Sequence, residues 1–418
     1  MAQLSDDCFA FGGALMPAAD ALERIRQMDL PLPETEAVPL KEAAGRIVAA
    51  PLVASFDVPP HDNAAVDGYA VHFADLGDGM PVTLPVTGRA AAGHPLGRAA
   101  RPGEAIRIFT GAPMPDGPDT VLMQEDCRES GGGVSLPPGI KRGANRRRRG
   151  EDVRAGDTAI AAGARLRPQE VALAAALGCT ALPVYRKLRV AILSTGDEVR
   201  EPGAALPPGA IYDANRYALM ALLEGLGCAV EDYGIVPDRA DAVRAALAEA
   251  AQGHDLVVTS GGMSTGEEDH VKAAVEAQGR LHFWRLAIRP GRPVALGQLG
   301  HVPFIGLPGN PVAVMVTFLL LARPLILRLA GAREVTPTLY RVASGFAYAK
   351  KKSRAEYLRA RLERGADGSL VAQKYPRDGA GIISSLVASD GLVAIAAGVG
   401  EVAPGAPVDF LPFSEVLG

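Results

Sequence analysis

Between Thr259 and His270 the chain reads TSGGMSTGEEDH, and two kinds of chemistry are packed into that stretch. Its first half, with Ser260, Gly261, Gly262, Ser264 and Gly266, offers hydroxyls and open backbone N–H groups of the kind that surround an oxyanion. Its second half, Glu267, Glu268 and Asp269, would repel a lone anion. Mg²⁺ removes the conflict, since it is commonly held by one or two carboxylates together with substrate phosphates. The pattern matches neither GxGxxG nor the P-loop, which disfavours dinucleotide and P-loop chemistry. A metal–pyrophosphate complex suits both halves.

Three other stretches could join it. STGDE (194–198) carries Ser194, Gly196, Asp197 and Glu198, and GLPGNP (306–311) sets Pro308, Gly309, Asn310 and Pro311 before a helix. A helix N-terminus is itself an anion site, although a rigid turn explains Pro-Gly-Asn-Pro as well. FWRLAIRPGRP (283–293) supplies Arg285, Arg289 and Arg292, either a solvated edge or a phosphate clamp. Asp238, in VPD, reads first as the N-cap of the helix that follows. HDNAAVDGYAV (61–71) and FTGAPMP (109–115) are explained by turn chemistry alone. KRGANRRRRGED (141–152) reads as a solvated charged linker, with a local anion site as its other reading. The seven histidines form no ligand spacing, the four cysteines no CxxC pair, and GxSxG is absent.

The elements that must position these residues are legible between Leu188 and Gly331. Strand patterns at 189–194, 228–236, 254–260 and 301–307 alternate with helical ones at 215–227, 237–253, 268–279 and from Pro311. The helix at 215–227 has its apolar spacing at Tyr217, Met220, Leu223 and Leu226. Strand–helix alternation predicts a doubly wound parallel α/β sheet. Ligands then sit beyond the carboxyl ends of the strands, where the loops at 194–198, 236–238, 259–269 and 306–311 converge on one rim.

The flanks differ. Residues 55–146 are rich in Gly, Pro and short strands, an inserted β-rich domain between 13–54 and 147–187, which pack together as a split α/β domain. Residues 332–418 alternate strands and turns, predicting a small β-barrel or sandwich. The full expectation is a multidomain α/β plus β protein of 418 residues. A net charge of −4 gives no field for nucleic acid or membrane. The run VAVMVTFLLLA (312–322), ended by Arg323 and Pro324, is half the ~20 residues of a membrane span and predicts a buried core helix. A soluble, cytoplasmic protein is expected.

DNAAVDGYAV, IRIFTGAPMP, RRRGEDVRAG, AILSTGDEV, IYDANRYAL, VVTSGGMSTGEEDHVK, FWRLAIRPGRP and GLPGNPVAVMVTF follow in the order and spacing of one family. The chain resembles the MoeA-type molybdopterin molybdenumtransferases, to which the E domain of gephyrin is related. The resemblance spans essentially the whole chain. It implies four domains, a homodimer, and Mg²⁺-dependent hydrolysis of adenylylated molybdopterin with molybdate, giving molybdenum cofactor and AMP. It also implies transient contact with molybdopterin adenylyltransferase and with molybdoenzymes or their chaperones.

Carried over by motif, the family's site residues fall on Asp67, Asp152, Glu198, Asp238 and Asp269, with Thr110 beside them and Arg359 and Ser384 in the last domain. Asp67 and Thr110 are implied to reach in from the partner copy. Asp269 and Glu268, with Asp152, are the implied metal carboxylates. The family usually has Lys where this chain has Arg285, Arg289 and Arg292, and Arg forks onto oxyanions differently. Two other readings stand beside this one: an adenylyltransferase built on the central domain, and a non-catalytic scaffold of the gephyrin type.

Overall fold

The computed structural model describes residues 15–28, 30–77, 79–261, 270–291 and 293–417, with the backbone alone at 282–285 and 293. At its centre lies a six-stranded sheet. Strand β1 (Arg189–Thr195) is flanked in parallel by β2 (Ala229–Val236) and β3 (Leu256–Ser260). Strands β4 (Gly279–Arg285) and β5 (Pro293–Leu299) form an antiparallel hairpin, which joins β3 through β6 (Val302–Leu307).

Alternation along β1 explains why helices cover both faces. Val190 and Ile192 pack with Leu219 and Leu223 of α1 (Asn215–Gly225) and with the helix Pro311–Leu329, here α4. Ala191 and Leu193 pack with Val243 and Leu247 of α2 (Ala240–Gly253) and Val275 of α3 (His270–Gln278). Each fully buried Leu or Val of this kind contributes ~2 kcal/mol. The doubly wound expectation is met for the parallel strands. The β4–β5 hairpin has no counterpart in it, because Arg285, Pro290, Arg292 and Pro293 read as a loop.

Two helices differ from their sequence readings. In α1 the buried face is Arg216, Leu219, Leu222 and Leu223, one position away from Tyr217 and Met220. The cause is Arg216, whose guanidinium turns inward onto carboxylates. The run ending at Arg323-Pro324 does not end a helix there. A π-helical segment, Phe318–Ala322, precedes Arg323, and the helix continues to Leu329. An i→i+5 register relieves the ring clash and missing donor of Pro324. By length and composition the 19-residue helix could cross a membrane, but 78% of its apolar window is buried inside the protein.

Asp255 ties the starts of β1 and β3. It accepts from Arg186 Nη1 at 2.5 Å and Nη2 at 2.8 Å and from the Arg189 amide at 2.8 Å. Burial alone would raise this carboxyl; the Arg186 fork and the Arg189 amide outweigh it and hold the pKa at about 2. A depressed pKa contributes stability above the unfolded value near 4 and loses it as pH falls towards 2. Asp255→Asn is therefore expected to lose roughly 2 kcal/mol at about pH 7 and far less at about pH 2. Urea unfolding at both values checks this; equal losses would contradict it.

The C-terminal strands β7 (Tyr340–Ser344), β8 (Ala355–Arg364), β9 (Leu370–Lys374), β10 (Gly391–Ile395) and β11 (Pro407–Pro412) close into a five-stranded barrel. Val342, Leu358, Ala360, Val393 and Phe410 are among the residues filling it. A two-residue strand, Ile288–Arg289, adds in parallel to the start of β8. It stitches the barrel to the connection between β4 and β5 of the α/β sheet.

Upstream, Thr35–Pro39 pairs with Ala181–Tyr185 and Leu52–Val53 with Thr158–Ile160, around Val38, Val48, Leu166 and Val184. Between these segments lies a second six-stranded sheet, from Gly68–Val71 to Gly133–Leu136. The helix Ala18–Gln27 departs from the expected grouping. Its buried Ala21 and Ile25 pack on the Pro311–Leu329 helix, because α4 offers the larger apolar face. The basic run is not a solvated linker throughout: Arg142 pairs with Asp119 at 2.6 Å, Arg146 with Asp62 at 3.5 Å and Arg149 with Asp57 at 2.5 Å.

Candidate active site

The parallel strands end level with one another, Ser194 opposite Ser260, Thr195 opposite Val236 and Ser260 opposite Leu307. The loops that follow therefore share one rim, as the alternation predicts. Gly261 leaves β3 at φ +85°, and a Cβ there would lie 2.7 Å from the Thr195 carbonyl oxygen. Gly196 leaves β1 at φ +140°, where a Cβ would lie 2.7 Å from Glu198 Oε2. Small residues thus let the loops close on each other and let the Glu198 carboxylate fold back to the rim. Gly261→Ala is expected to cost about 1–3 kcal/mol through an αL alanine and a backbone clash. It should lower the unfolding midpoint and weaken ligand binding together, and unchanged values for both would contradict this.

Near the strand ends several buried polar atoms lack a partner among the described residues. Ser194 Oγ, Thr195 Oγ1, Thr259 Oγ1 and Asn215 Oδ1 are buried and have no hydrogen-bond partner among the described residues. Asn215 spends its Nδ2 on the Gly309 carbonyl at 2.7 Å, which draws the Pro308–Pro311 turn to the start of α1. Alternation puts Ser194 on the α1 and α4 face of the sheet and Thr195 and Thr259 on the α2 and α3 face, so these atoms mark bonding left open on both sides of the strand ends. The start of α4 is less open than the sequence suggests. Its Val312 amide already donates to the Ala380 carbonyl at 2.9 Å, which fastens the barrel's 375–383 loop to the rim.

Between rim and barrel lies a cavity of about 580 Å³. The rim side contributes Glu198, Gly261, Pro308, Gly309 and Asn310; the β4–β5 connection contributes Arg289. The barrel contributes Tyr348, Glu356, Arg359 and Asp378. Arg359 is 6% exposed and donates only to neutral oxygens: Ser385 Oγ at 2.9 Å and the Arg377 and Gly379 carbonyls at 3.2 Å. Among the described residues no carboxylate lies within ion-pair distance of it, and burial pulls its pKa down from the usual arginine value. Arginine nonetheless stays charged at neutral pH. Asp378, on the same cavity, attracts it only from beyond ion-pair distance, and a buried cation without a direct ion pair suits an arriving anion.

Two lining residues went unread in the sequence. Glu356, 2% exposed, accepts from the Tyr348 hydroxyl at 2.6 Å and lies 3.7 Å from Arg289 Nη1 and 3.7 Å from Arg354 Nε. Burial first, and then Glu356, push the Tyr348 phenol up to about 12, so it remains a donor. A signal existed: Glu356, Leu358 and Ala360 alternate along one strand, which turns a carboxylate inward with two core residues.

The remaining predicted residues fall elsewhere or outside view. Gly262, Ser264, Gly266, Glu267, Glu268, Asp269 and Arg292 lie outside the described residues, as does the Arg285 side chain. Asp67 and Thr110 form their own constellation on the inserted sheet: the Thr110 amide and hydroxyl both donate to Asp67 Oδ1 at 2.7 Å. Those two bonds, the amide first, hold the Asp67 carboxyl below its usual range. Neither residue lines the cavity of its own chain.

Asp238 is not the cap of α2, whose N-cap position is Arg239; the extended backbone there starts the helix one residue later. Ser384 is exposed, and it is the neighbouring Ser385 that meets Arg359, because the short helix Ser384–Val387 turns residue 385 inward. Asp152 is exposed on the loop whose amide bonds Val58. Among the described residues no group of three His, Cys, Asp or Glu side chains is placed to hold a metal.

Comparison with known proteins gives the following. Residues 16–178 match the MoeA N-terminal region (domain I and II), 191–328 a probable molybdopterin binding domain, and 341–413 the MoeA C-terminal region (domain IV). The molybdopterin molybdenumtransferase of Haemophilus influenzae is 39% identical over 392 residues, covering 93% of this chain and 96% of that one. The protein of the same name from Synechococcus elongatus is 35% identical over 400 residues, with the same coverages of 93% and 96%. The structure of the molybdopterin biosynthesis moeA protein of Pyrococcus horikoshii aligns with a TM-score of 0.79 at 29% identity, over 95% of this chain and 100% of that one.

Proposed function

The chain belongs to the MoeA-type family of molybdopterin molybdenumtransferases, enzymes of molybdenum cofactor biosynthesis that insert molybdenum into molybdopterin, and we propose that insertion takes place in the cavity between sheet rim and barrel. The observation that carries this is Arg359, a buried cation whose hydrogen-bond partners among the described residues are neutral, facing a cavity that also holds Arg289 and Glu198. Arg289 offers a fork and Arg359 the Nη1 that its own bonds leave open, two cationic donors to a tetrahedral oxyanion, which suits molybdate as the substrate. Glu356 and Tyr348 hold Arg289 on its side of the cavity.

The second substrate is adenylylated molybdopterin. Its pterin and phosphates lie along the rim, where Ser194, Gly196, Ser260, Gly261 and the Pro308–Pro311 turn supply hydroxyls and amides, extended by Gly262, Ser264, Gly266 and Arg285. The buried Ser194 hydroxyl, which has no partner among the described residues, supports this half of the reading. The donor set fits Mg²⁺ as well: Glu198 at the rim, with Asp269 and Glu268 from the adjoining loop, would hold it, and Asp238 borders the same edge. When bound, the ion neutralises pyrophosphate charge as the phosphoanhydride opens. The chain need supply no covalent nucleophile, because a molybdate oxygen or water attacks phosphorus and AMP departs.

Asp67, Thr110 and Asp152 enter the cavity from a second copy, so the working unit is a homodimer. It acts in the cytoplasm, receiving substrate from an adenylyltransferase and passing cofactor to molybdoenzymes or their chaperones. Incubating the purified chain with adenylylated molybdopterin, Mg²⁺ and molybdate should release AMP, and removing either ion should stop it. No molybdate-dependent AMP release would overturn the assignment. Sedimentation should give twice the 43.4 kDa chain mass.

A further inference from the structure

Beneath the rim, Arg216 is 1% exposed and holds three carboxylates from three different elements. Its Nη2 bonds Glu201 of the 196–213 loop, its Nη1 bonds Asp232 of β2, and its Nε bonds Asp213 Oδ2 at 3.1 Å at the start of α1. Glu201 is held a second time by the Tyr217 hydroxyl at 3.1 Å, and the Arg216 guanidinium lies 5.1 Å from the centre of the Tyr217 ring. Arg216's backbone amide also donates to Asp213 Oδ1 at 3.0 Å.

What the three carboxylates share is position relative to the site. Glu201 follows Glu198 by three residues in the loop that leaves β1. That loop is folded back on itself, with Val199 and Arg200 paired in parallel to Ile211 and Tyr212. Asp232 sits where the pairing of β1 with β2 shifts register, and its Oδ1 accepts the Gly234 amide at 2.8 Å, Gly234 having φ +70°. That shift decides where β2 ends, and so where the segment reaching Asp238 begins. One side chain therefore connects the anchor of the Glu198 loop to the end of β2.

We propose that Arg216 is a positioning residue, which through Glu201 fixes the Glu198 loop against the rim for the pterin nucleotide and leaves molybdate binding to Arg289 and Arg359. The proposal rests on the site assigned above. A network spent only on folding would not need Glu201, whose side chain is 46% exposed and sits in an excursion beyond the sheet. Exposure is also what makes it testable, since its removal leaves Arg216 with the two carboxylates of α1 and β2.

The test is steady-state AMP release by the full-length chain carrying Glu201→Ala, Glu201→Gln or Arg216→Lys, with unfolding midpoints measured in parallel. Glu201→Ala should raise KM for adenylylated molybdopterin by about tenfold, the order expected when a contacting loop is misplaced by under an ångström. KM for molybdate should stay within about twofold, because Arg289 and Arg359 stand on other elements. Glu201→Gln, which keeps an acceptor for Arg216 and Tyr217, should restore most of the loss. Arg216→Lys should show the same one-sided rise in KM in its folded fraction. A loss of active protein alone lowers kcat and moves neither KM, so that result would overturn the proposal, as would wild-type values for Glu201→Ala. An inactive wild-type chain would instead overturn the site assignment.

Discussion

Replacing Arg359 with methionine is expected to reduce molybdate-dependent AMP release by about a hundredfold or more, while leaving the protein as stable as before or slightly more so. The two halves of that expectation have one cause. Arg359 is desolvated, and its partners are a serine hydroxyl and two backbone carbonyls. None of these repays the cost of burying a full charge, so removing the charge costs the fold little. For an arriving oxyanion the same cation is worth more than a solvated one, since little water screens it.

The loss should fall mainly on KM for molybdate. Arg359→Lys should recover only part of it, because an ammonium lacks the planar fork. Arg289→Met should have the smaller effect: its side chain is 51% exposed and already leans on Glu356. Unaltered molybdate kinetics in Arg359→Met would remove the anion role from the barrel.

The second large effect concerns assembly. Asp67→Ala and Glu198→Gln should each be nearly inactive alone, yet mixing the two after dissociation and reassociation should restore about a quarter of wild-type activity. If each cavity is completed by Asp67 and Thr110 of the other copy, a mixed dimer holds one doubly altered site and one intact site. Random pairing makes half of the dimers mixed, and half of their sites are intact. The Asp67–Thr110 pair is ready for such a role: its carboxylate is held ionised by the Thr110 bonds and it does not line the cavity between rim and barrel of its own chain. Activity that stays at the level of the separate variants would mean that the site is built within one chain.

How far the sequence anticipates this arrangement varies with the kind of signal. Glu198 and Gly261 are legible because strand–helix alternation dictates which strand ends face a ligand, whatever the loops contain. The barrel is legible from short alternating strands. Arg359 is reachable only by resemblance, since a lone arginine in a strand carries no local signature of burial. Glu356 escapes local pattern because a charged side chain stands where the strand's alternation otherwise places apolar ones.

The inward face of the helix at Asn215–Gly225 shifts by one position because Arg216 outcompetes Tyr217 for the interior, and only its three carboxylates make that possible. The basic run at 141–149 hides three structural ion pairs, because Asp57, Asp62 and Asp119 lie far from it in sequence. Local patterns reveal elements and their ligand-facing ends. Long-range pairs of charges escape them.

The strand Ile288–Arg289 has a consequence for recombination between relatives. Arg289 lies in register with Glu356, and the Ala355 amide donates to Ala287 at 2.8 Å. A hybrid that grafts a foreign barrel at residue 332 would leave Arg289 hydrogen-bonded to a backbone that was never fitted to it. Its guanidinium would then follow the donor's strand. The natural unit of exchange is thus discontinuous: the 286–291 segment has to travel with the barrel, although forty residues of the α/β sheet and its last helix separate the two in the chain.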